Sequence, residues 1–572
     1  MWRKVLIDDE WESKLSISAS LSFILIMVVI GLPLWWETTK VYRVPLPRSE
    51  ILAYSSAPLK LGLNLDLVQL DSASQNPAYA EALKSALQIA SSRKLHQRLS
   101  LRLHMSVRKP ADSELNTLTG LSNRSTSLTD LDQQLSLISA QPRNHLTLYL
   151  LSEPAFWSGS ETSWGYLGRH RAVFLRLPQT INVADFFSKG SAFVNQVSSL
   201  VMEVVLGLDQ FRSILAGVEP RRLSATGPPG TRDQRRYFAQ SATSIRLPPI
   251  QNVDLYVVSP NPSLCEARLD LPTLRQLYLQ PFFDQFGNAT QFRLQSQNLY
   301  YVRLSAAPTH KNISVANGAS EIAAYVLDDS SLKGVFSPLE EHVMTQPRHP
   351  TSPCIWLTAR DGPFPQNTVM AADWGGLMVY NGADLTCNGP VELTPRVVAV
   401  SLIAQLRALL GLEILDLPAG LAKSGSAWSG WESDRLQRLA LASYSLQASS
   451  TLHSLVDLLD GITNIVIGDE VGFEIQQSVA DLKRIFQIGE IRGPLLAEYL
   501  GLAKSAHIHS ERAFFDPSLL ALLYFPEDQK YAIYVPLFLP VGVPVLLSLL
   551  GIRKYFKKQQ SSQQVQTGKK DN

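Results

Sequence analysis

The chain has 572 residues, 45% apolar and 18% charged, with 52 lysines and arginines against 50 aspartates and glutamates for a net charge of +2. That balance excludes a disordered acidic chain and a protein directed at nucleic acid, and the length points to more than one folding unit. Three cysteines, none in a CxxC, exclude a disulfide-stapled scaffold; the spacing of Cys354 and Cys387 permits one bridge in an oxidising compartment, leaving Cys265 free.

Leu15 to Trp36, "LSISASLSFILIMVVIGLPLWW", is 22 residues without a charge. At about 1.5 Å per residue such a helix covers the roughly 30 Å of a bilayer's hydrocarbon core. A cleaved signal peptide has a shorter apolar run, and "WWETTK" offers no small-residue cleavage pattern, so the segment reads as a retained anchor with Trp35 and Trp36 at one interface.

An α/β pattern follows. "LKLGLNLDLVQL" and "LSLRLHMSV" alternate with period two, as half-buried strands do, and "HLTLYLL" (His145 to Leu151) is a third strand. Between the first two, "NPAYAEALKSALQIA" has Asn76 as N-cap, Pro77 at the first helical position, and Tyr79, Leu83, Ala86, Leu87 and Ala90 on one face. "SATGPPGTRDQRR" (Ser224 to Arg236) is a turn-rich basic loop. Strand and helix types then alternate again through "NVDLYVVSPNP", "LRQLYLQPFFDQFG", "QNLYYVRLSA", "PCIWLTA" and "GGLMVYN", ending in a helix, "RVVAVSLIAQLRALLGL". No clean repeat shows in the residues, although two α/β halves each closed by a long apolar helix fit the pattern.

From about Trp431 strands vanish. "WESDRLQRLALASYSLQASSTLHSLVDLLDG" puts Leu441, Ala448, Leu452, Leu455 and Leu459 at helical spacing with Gly461 at its end, and "EIQQSVADLKRIF" and "PLLAEYLGLAKSAHIHSERAFF" are further helices. Asp516 caps a short helix opened by Pro517, with Leu519, Leu520, Leu522, Leu523, Tyr524 and Phe525; it meets a membrane surface or another protein, or packs within its own domain.

Residues 531 to 552, "YAIYVPLFLPVGVPVLLSLLGI", form a second uncharged stretch of spanning length, bordered by Tyr531 and Tyr534. Pro536, Pro540 and Pro544 recur every four residues near one helical face, and each removes a helical donor; the carbonyls of Ala532, Pro536 and Pro540 then need shielding, so the expected span is bent and packed against a partner. A kinked, lipid-exposed span is the alternative. Arg553, Lys554, Lys557, Lys558, Lys569 and Lys570 follow it, against Arg512 and Lys530 before it, which places the C-terminus in the cytoplasm and, with two spans, the N-terminus too. Lys14 and the tail cations are candidates for lipid headgroup contact. Sequons at Asn123, Asn288 and Asn312 then fall on the translocated side, while the one at Asn261 is blocked by proline.

The sequence offers no GxSxG elbow, HExxH helix, GxGxxG turn or Walker loop. His507 and His509, two apart on a helix, face different sides and cannot share a metal; His104 lies on the polar side of its strand in a structural role. No catalytic residue, metal site or cofactor is expected. The distinctive patch is "DWGGLMVYN": Gly375 and Gly376 permit close backbone approach, and Trp374 and Tyr380 are rings of the kind interfaces favour, or the patch is a tight turn entering a buried strand.

"GLPLWWETTKVYRVPLP", "WGGLMVYN", "WESDRLQRLALAS", "ITNIVIGDEV" and "AFFDPSLLALLYFPEDQKYAIYVPLFLPVGVPVLLSLL" resemble the PIG-S family from about residue 31 to 552. The resemblance implies a non-catalytic structural subunit of the GPI transamidase of the endoplasmic reticulum. That complex removes a C-terminal propeptide from client proteins and transfers the new carbonyl to a preassembled GPI lipid. The implied partners are the PIG-K cysteine protease, PIG-T, PIG-U, the Gaa-type anchor-attachment subunit and membrane lipid, with no nucleic acid and no cofactor. The expected architecture is an α/β lumenal domain, a mixed sheet with covering helices, followed by a helical segment and flanked by two transmembrane helices. Its layout is a cytoplasmic N-terminus (1–14), a first span (15–36), a lumenal α/β region (37–410), a mainly helical lumenal region (411–530), a second span (531–552) and a cytoplasmic basic tail (553–572). Two other classes remain open: a membrane-tethered lumenal hydrolase, which the missing nucleophile setting opposes, and a lumenal lectin-type or client-binding protein, which aromatics such as Trp374 would serve.

Overall fold

A computed structural model describes residues 9–39, 42–69, 98–122, 127–138, 143–151, 163–177, 192–218, 247–259, 265–302, 309–314, 321–326, 354–359, 368–371, 375–380, 389–412, 417–461, 466–519 and 527–567, with a few positions between. The helices are α1 (Asp9–Ile26), α2 (Leu32–Thr39), α3 (Arg48–Ser56), α4 (Asp112–Ser122), α5 (Leu128–Ile138), α6 (Ala192–Ser199), α7 (Leu208–Val218), α8 (Gln280–Phe286), α9 (Pro395–Leu409), α10 (Gly430–Gly461), α11 (Asp469–Gln487), α12 (Leu495–Phe514) and α13 (Glu527–Thr567). Wider π-helical turns join α1 to α2 (Met27–Gly31), extend α6 (Leu200–Val205) and lead into α8 (Leu274–Leu279). The chain forms two compact units, one of 48–453 and 477–511, the other of 1–47, 454–476 and 512–572.

The larger unit holds two principal sheets. In the first, β1 (Leu59–Gln69), β2 (Leu99–Arg108), β3 (His145–Leu151), β4 (Gly165–Leu167) and β5 (Ala172–Arg176) lie in the order β2-β1-β3-β5-β4. The second half contributes β6 (Ile250–Ser259), β7 (Cys265–Leu269), β8 (Gln291–Tyr300), β9 (Thr309–Ser314), β10 (Glu321–Val326), β11 (Cys354–Ala359), β12 (Thr368–Ala371), β13 (Gly375–Tyr380) and β14 (Gly389–Leu393). Its main sheet runs β8-β6-β11-β13-β12, and β7 with β14 and β9 with β10 form two small pairs. Numbered in chain order within each sheet, both read second, first, third, fifth, fourth. In both, only the fourth strand runs antiparallel to its neighbour. A short β15 (Leu421–Lys423) extends the first sheet beyond β4.

The two α/β halves expected from the residues are therefore one topology used twice. Each closes on a buried helix, and each helix ends at a glycine in the left-handed region, Gly207 (φ +73°) after the first and Gly411 (φ +62°) after the second. That conformation costs glycine least and ends helices. The chain repeats itself faintly at this point, as "VVLGLD" (Val204 to Asp209) and "ALLGLE" (Ala408 to Glu413).

Strand periodicity explains the layering. In β3, Leu146, Leu148 and Leu150 enter one hydrophobic core, while Tyr149 and Leu151 enter another on the opposite sheet face. The first core is filled from α6 and its π-helical extension, with Ala80, Leu83 and Leu87 from the expected helix; Asn76, Pro77, Tyr79, Ala86 and Ala90 lie outside the described residues. The second is filled from α4 and α5. Helices on both faces are what a parallel sheet requires.

The smaller unit has the opposite surface chemistry. α1 lies beside α13. Leu25, Val29 and Ile30 on the first helical run and Leu539, Leu546, Leu547 and Leu550 on α13 are exposed. α13 passes through Pro536, Pro540 and Pro544 as one helix and contains the whole second uncharged stretch. Among the described residues, no single helix is long and apolar enough to cross a membrane; the side chains of Tyr531, Ile533, Tyr534, Leu537 and Val541 in α13 are not described. The run from Ala192 to Leu215, bent by 47°, has that length and composition, but Val197, Leu200, Val201 and Val204 bury it in the α/β core.

Two chain segments clasp each other in this unit. Val44 N–H donates to Ile467 O (3.3 Å), Ile467 N–H to Tyr42 O (3.2 Å), and the Tyr42 hydroxyl to Asp469 (2.7 Å). Asp516 accepts from Ser518 N–H at 2.8 Å, opening a turn at Pro517–Leu519 as its capping role predicts; residues 520–526 of that expected helix lie outside the described ones.

Candidate functional site

A polar recess of about 310 Å³ opens on the first sheet. Asn64 of β1 is in register with His104 on β2 and His145 on β3, and the next row on that face is Ser106, Asp66 and Thr147. Asp66 accepts from His145 Nε2 at 2.8 Å and from the Ser106 hydroxyl. His104 pairs with Glu490, 386 residues away, so it is not simply solvent-facing as its strand position suggests. Glu490 arrives with a short segment that extends the sheet: Gly62 N–H donates to Ile491 O (2.9 Å) and Ile491 N–H to Lys60 O (3.0 Å). A side chain at Gly62 would collide with the Glu490 carboxylate.

The order of groups in the recess decides its chemistry. Activation of a serine needs a base touching the hydroxyl and a third group orienting that base. Here the carboxylate stands in the middle, between Ser106 and His145, and no imidazole is bonded to the hydroxyl. Nearby, Glu114 is fully engaged by Arg108 (2.8 and 3.0 Å), Ala111 N–H (2.9 Å) and the Tyr149 hydroxyl (3.1 Å). Burial alone would raise its pKa, but these donors outweigh it and hold the carboxyl below the ordinary range. Its bond from Ala111 N–H caps a free backbone donor at the start of α4.

The strongest concentration of buried charge is at the start of α10. Glu432, Asp434, Arg435 and Arg438 are each at most 3% exposed. Glu432 makes the carboxylate half of a capping box, accepting from Ser429 N–H at 2.9 Å. Glu432 also holds Arg407 in a bidentate pair (2.7 and 3.0 Å) and Lys423 (2.7 Å). Burial pushes its pKa up, but Arg407 and then Lys423 bring it below the usual carboxylate range; Lys423, with burial dominant, is lowered. The bidentate Arg407 contact therefore dominates the cluster. Asp434 holds Arg171 (2.6 and 2.9 Å) and accepts from Asn144 N–H (2.9 Å).

The two buried arginines finish on helix ends. Arg435 donates to Val204 O (2.9 Å) and to Gly411 O (2.6 Å), and Arg438 to Val205 O (3.1 Å) and Asn144 Oδ1. One guanidinium thus caps the closing helix of both halves, where a cation also meets the negative end of the helix dipole. Burial pushes both arginines down to about 10, well within the charged range at neutral pH. Trp431 Nε1 bonds Gly168 O (3.1 Å) in the first half, and Ser433 and Tyr444 bond Gln285 O (2.8 Å) and Ala289 O (2.9 Å) in the second. The residues "WESDRLQRLALAS" are the bolt through both halves.

The residues singled out from sequence are not brought together. Asn288 is exposed on the turn between α8 and β8; Asn312 lies in β9, where side chains are not described, and Asn123 lies outside the described residues. Gly375 and Tyr380 bound β13, Gly376 is buried in it against Gln405 of α9, and Trp374 is outside the described residues. Pro536, Pro540 and Pro544 are exposed on α13, and Lys14 lies in α1 with its side chain not described. Cys265 begins β7 and Cys354 begins β11, and Cys387 is outside the described residues. His507 stacks on Tyr444, centroids 5.6 Å apart. Among the described residues no group of His, Cys, Asp and Glu is arranged to hold a metal ion. The missed residues, Glu432 through Arg438, carried one local signal, the Ser429–Glu432 capping-box spacing.

Two like α/β halves bolted by one buried helix, in a chain that also carries exposed apolar helices, define a class of duplicated α/β proteins with apolar terminal segments. The chain belongs to the PIG-S family: the profile described as phosphatidylinositol-glycan biosynthesis class S protein matches residues 22–559. It is 30% identical to the GPI-anchor transamidase component PIGS of Bos taurus over 571 residues, covering 94% of this chain and 96% of that one. It is also 30% identical to the Homo sapiens component of the same name over 573 residues, with the same coverage. The GPI transamidase component PIG-S homolog of Schizosaccharomyces pombe is 24% identical over 303 residues, 49% of this chain and 50% of that one.

Proposed function

We propose that the protein is a non-catalytic structural subunit of the GPI transamidase, held in the endoplasmic reticulum membrane by two spans, both termini cytoplasmic and its α/β and helical regions lumenal. The relation to named transamidase components over 94% of the chain is the observation that carries the role. The membrane part is supported by α1 and α13, which lie side by side with apolar side chains exposed around them, a surface that water disfavours and lipid accepts. The non-catalytic part is supported by polar groups that satisfy one another: Asp66 separates Ser106 from His145, and Glu114, Glu432 and Asp434 are engaged by structural donors.

The layout proposed is the one expected from sequence, with spans at 15–36 and 531–552 and tails of 1–14 and 553–572. Its partners are the cysteine protease subunit and the other transamidase components. Solubilising the tagged chain in mild detergent and identifying what co-purifies tests the role: recovery of the protease subunit is expected, and its consistent absence would overturn the reading. Protease treatment of sealed microsomes tests the topology, with the lumenal body expected to survive intact and only the tails digested.

A further inference from the structure

We propose that the clasp between residues 42–44 and 466–473 is a foot that rests in the headgroup layer of the bilayer, so that the protein touches lipid outside its two spans as well as within them. The inference rests on the membrane reading above and adds a peripheral lipid-contact site to it.

Register places the surface. Arg43 and Ile467 form a parallel bridge, with Ile467 buried. Side chains alternate along extended chain, so Tyr42 and Val466, one residue back on each segment, share the opposite face. Both are exposed, Tyr42 at 57% and Val466 at 41%. Val44, two residues beyond Tyr42 on that face, is packed on Gly472 so closely that an added Cβ there would lie 2.7 Å from its side chain. The next residue, Phe473, is 56% exposed. A tyrosine, a valine and a phenylalanine are thus presented to the outside by a segment whose backbone is fixed by hydrogen bonds.

Chain length places the lipid. Trp36 ends the first uncharged stretch, α2 continues to Thr39, and Tyr42 follows three residues later. Three helical residues and three extended ones reach about 15 Å at most. The polar layer of each leaflet is about 5–8 Å deep, so Tyr42 is tethered within or just above it. Aromatic rings with an apolar body and a polar edge favour that layer. The Tyr42 hydroxyl bonds Asp469 while the residue stays 57% exposed, so its polar edge is satisfied and its ring is open to an apolar neighbour. Trp36 at the end of the apolar stretch and Tyr42 on the clasp are both exposed, and a lipid occupant accounts for both with one partner.

The test places benzoylphenylalanine at Phe473, and separately at Leu546 of α13, in the full-length chain reconstituted into phosphatidylcholine nanodiscs with a radiolabelled phospholipid. Ultraviolet-dependent lipid labelling severalfold above unirradiated samples is expected at both positions. Labelling at Leu546 but not Phe473 would overturn the foot while leaving the spans intact. Silence at both positions would overturn the membrane reading and the foot with it. If Phe473 in purified complex links to a protein subunit in place of lipid, the surface is a subunit contact and the proposal is wrong.

Discussion

α10 and α13 are both long helices, and each turns its sequence inside out relative to an ordinary surface helix. α10 buries Glu432, Asp434, Arg435 and Arg438, whereas α13 exposes Leu539, Leu546, Leu547 and Leu550. The difference is in what each offers its surroundings. Charges of α10 are desolvated, which is tolerable only because every one meets an opposite charge or a carbonyl within the body. Side chains of the 531–552 stretch of α13 have no charge to satisfy, so their exposure is a cost in water and none in hydrocarbon. A buried charge here reports an internal joint, and an exposed leucine reports an external solvent.

The largest effect expected from breaking this contrast is at the joint. Arg435→Ala leaves the buried carbonyls of Val204 and Gly411 without their shared cap, while Glu432 keeps Arg407 and Lys423, a loss of about 2–5 kcal/mol. Urea unfolding of the purified chain checks it, and a change below about 1 kcal/mol would mean the bolt does not hold the halves. Replacing Pro536, Pro540 and Pro544 with leucine attacks the other helix. Stability of the α/β body is expected to stay the same while recovery of transamidase subunits in pull-downs falls severalfold; unchanged recovery counts against a role for the proline face in packing.

A smaller effect concerns acid. Glu114 has a folded pKa below its ordinary 4.5, so its contribution is complete above that value and is lost as pH falls through the folded pKa. Arg108→Ala removes the main donor and raises that pKa. The variant is expected to be less stable than the parent at neutral pH and to lose less further stability as pH falls below 4.5, because the gap between the folded and unfolded pKa has narrowed; urea unfolding at a series of pH values checks it. The smallest effect is at Asn288. Asn288→Gln is expected to remove one glycan's worth of an endoglycosidase-sensitive shift in gel mobility, because the sequon is exposed and, in the proposed topology, lumenal, and to alter folding stability by less than about 0.5 kcal/mol.

Local chemistry was readable from the residues; distant pairing was not. The alternation of β1, β2 and β3, the helix through Leu402 and the stop at Gly461 follow from periods and breakers within a few residues. A division into two α/β halves fits the residue pattern, yet their shared strand order depends on which strands pair across tens of residues, and only "VVLGLD" and "ALLGLE" mark it in the chain. The charges in "WESDRLQR" look like a solvated face because amphipathic reasoning sends charge outward. Their partners Arg171 and Asn144 lie 263 and 290 residues from Asp434, so nothing local announces the burial. His104 is the same lesson on a strand, with Glu490 supplied from the far end of the body. Gly376 was the opposite case: a glycine pair predicts close approach, and Gln405 occupies the space a Cβ would need.

The shared cap on Val204 and Gly411 also bears on how the protein is made. A ribosome delivers residues in order, at about 5–20 per second, and domains ordinarily fold as they emerge. Arg435 is synthesised after both halves are complete in sequence. Neither nascent half gains the cap on its last helix until that later segment has been made, so maturation of the whole body waits on one short stretch, and truncations anywhere between the two halves and α10 should be cleared by quality control in place of accumulating as stable fragments.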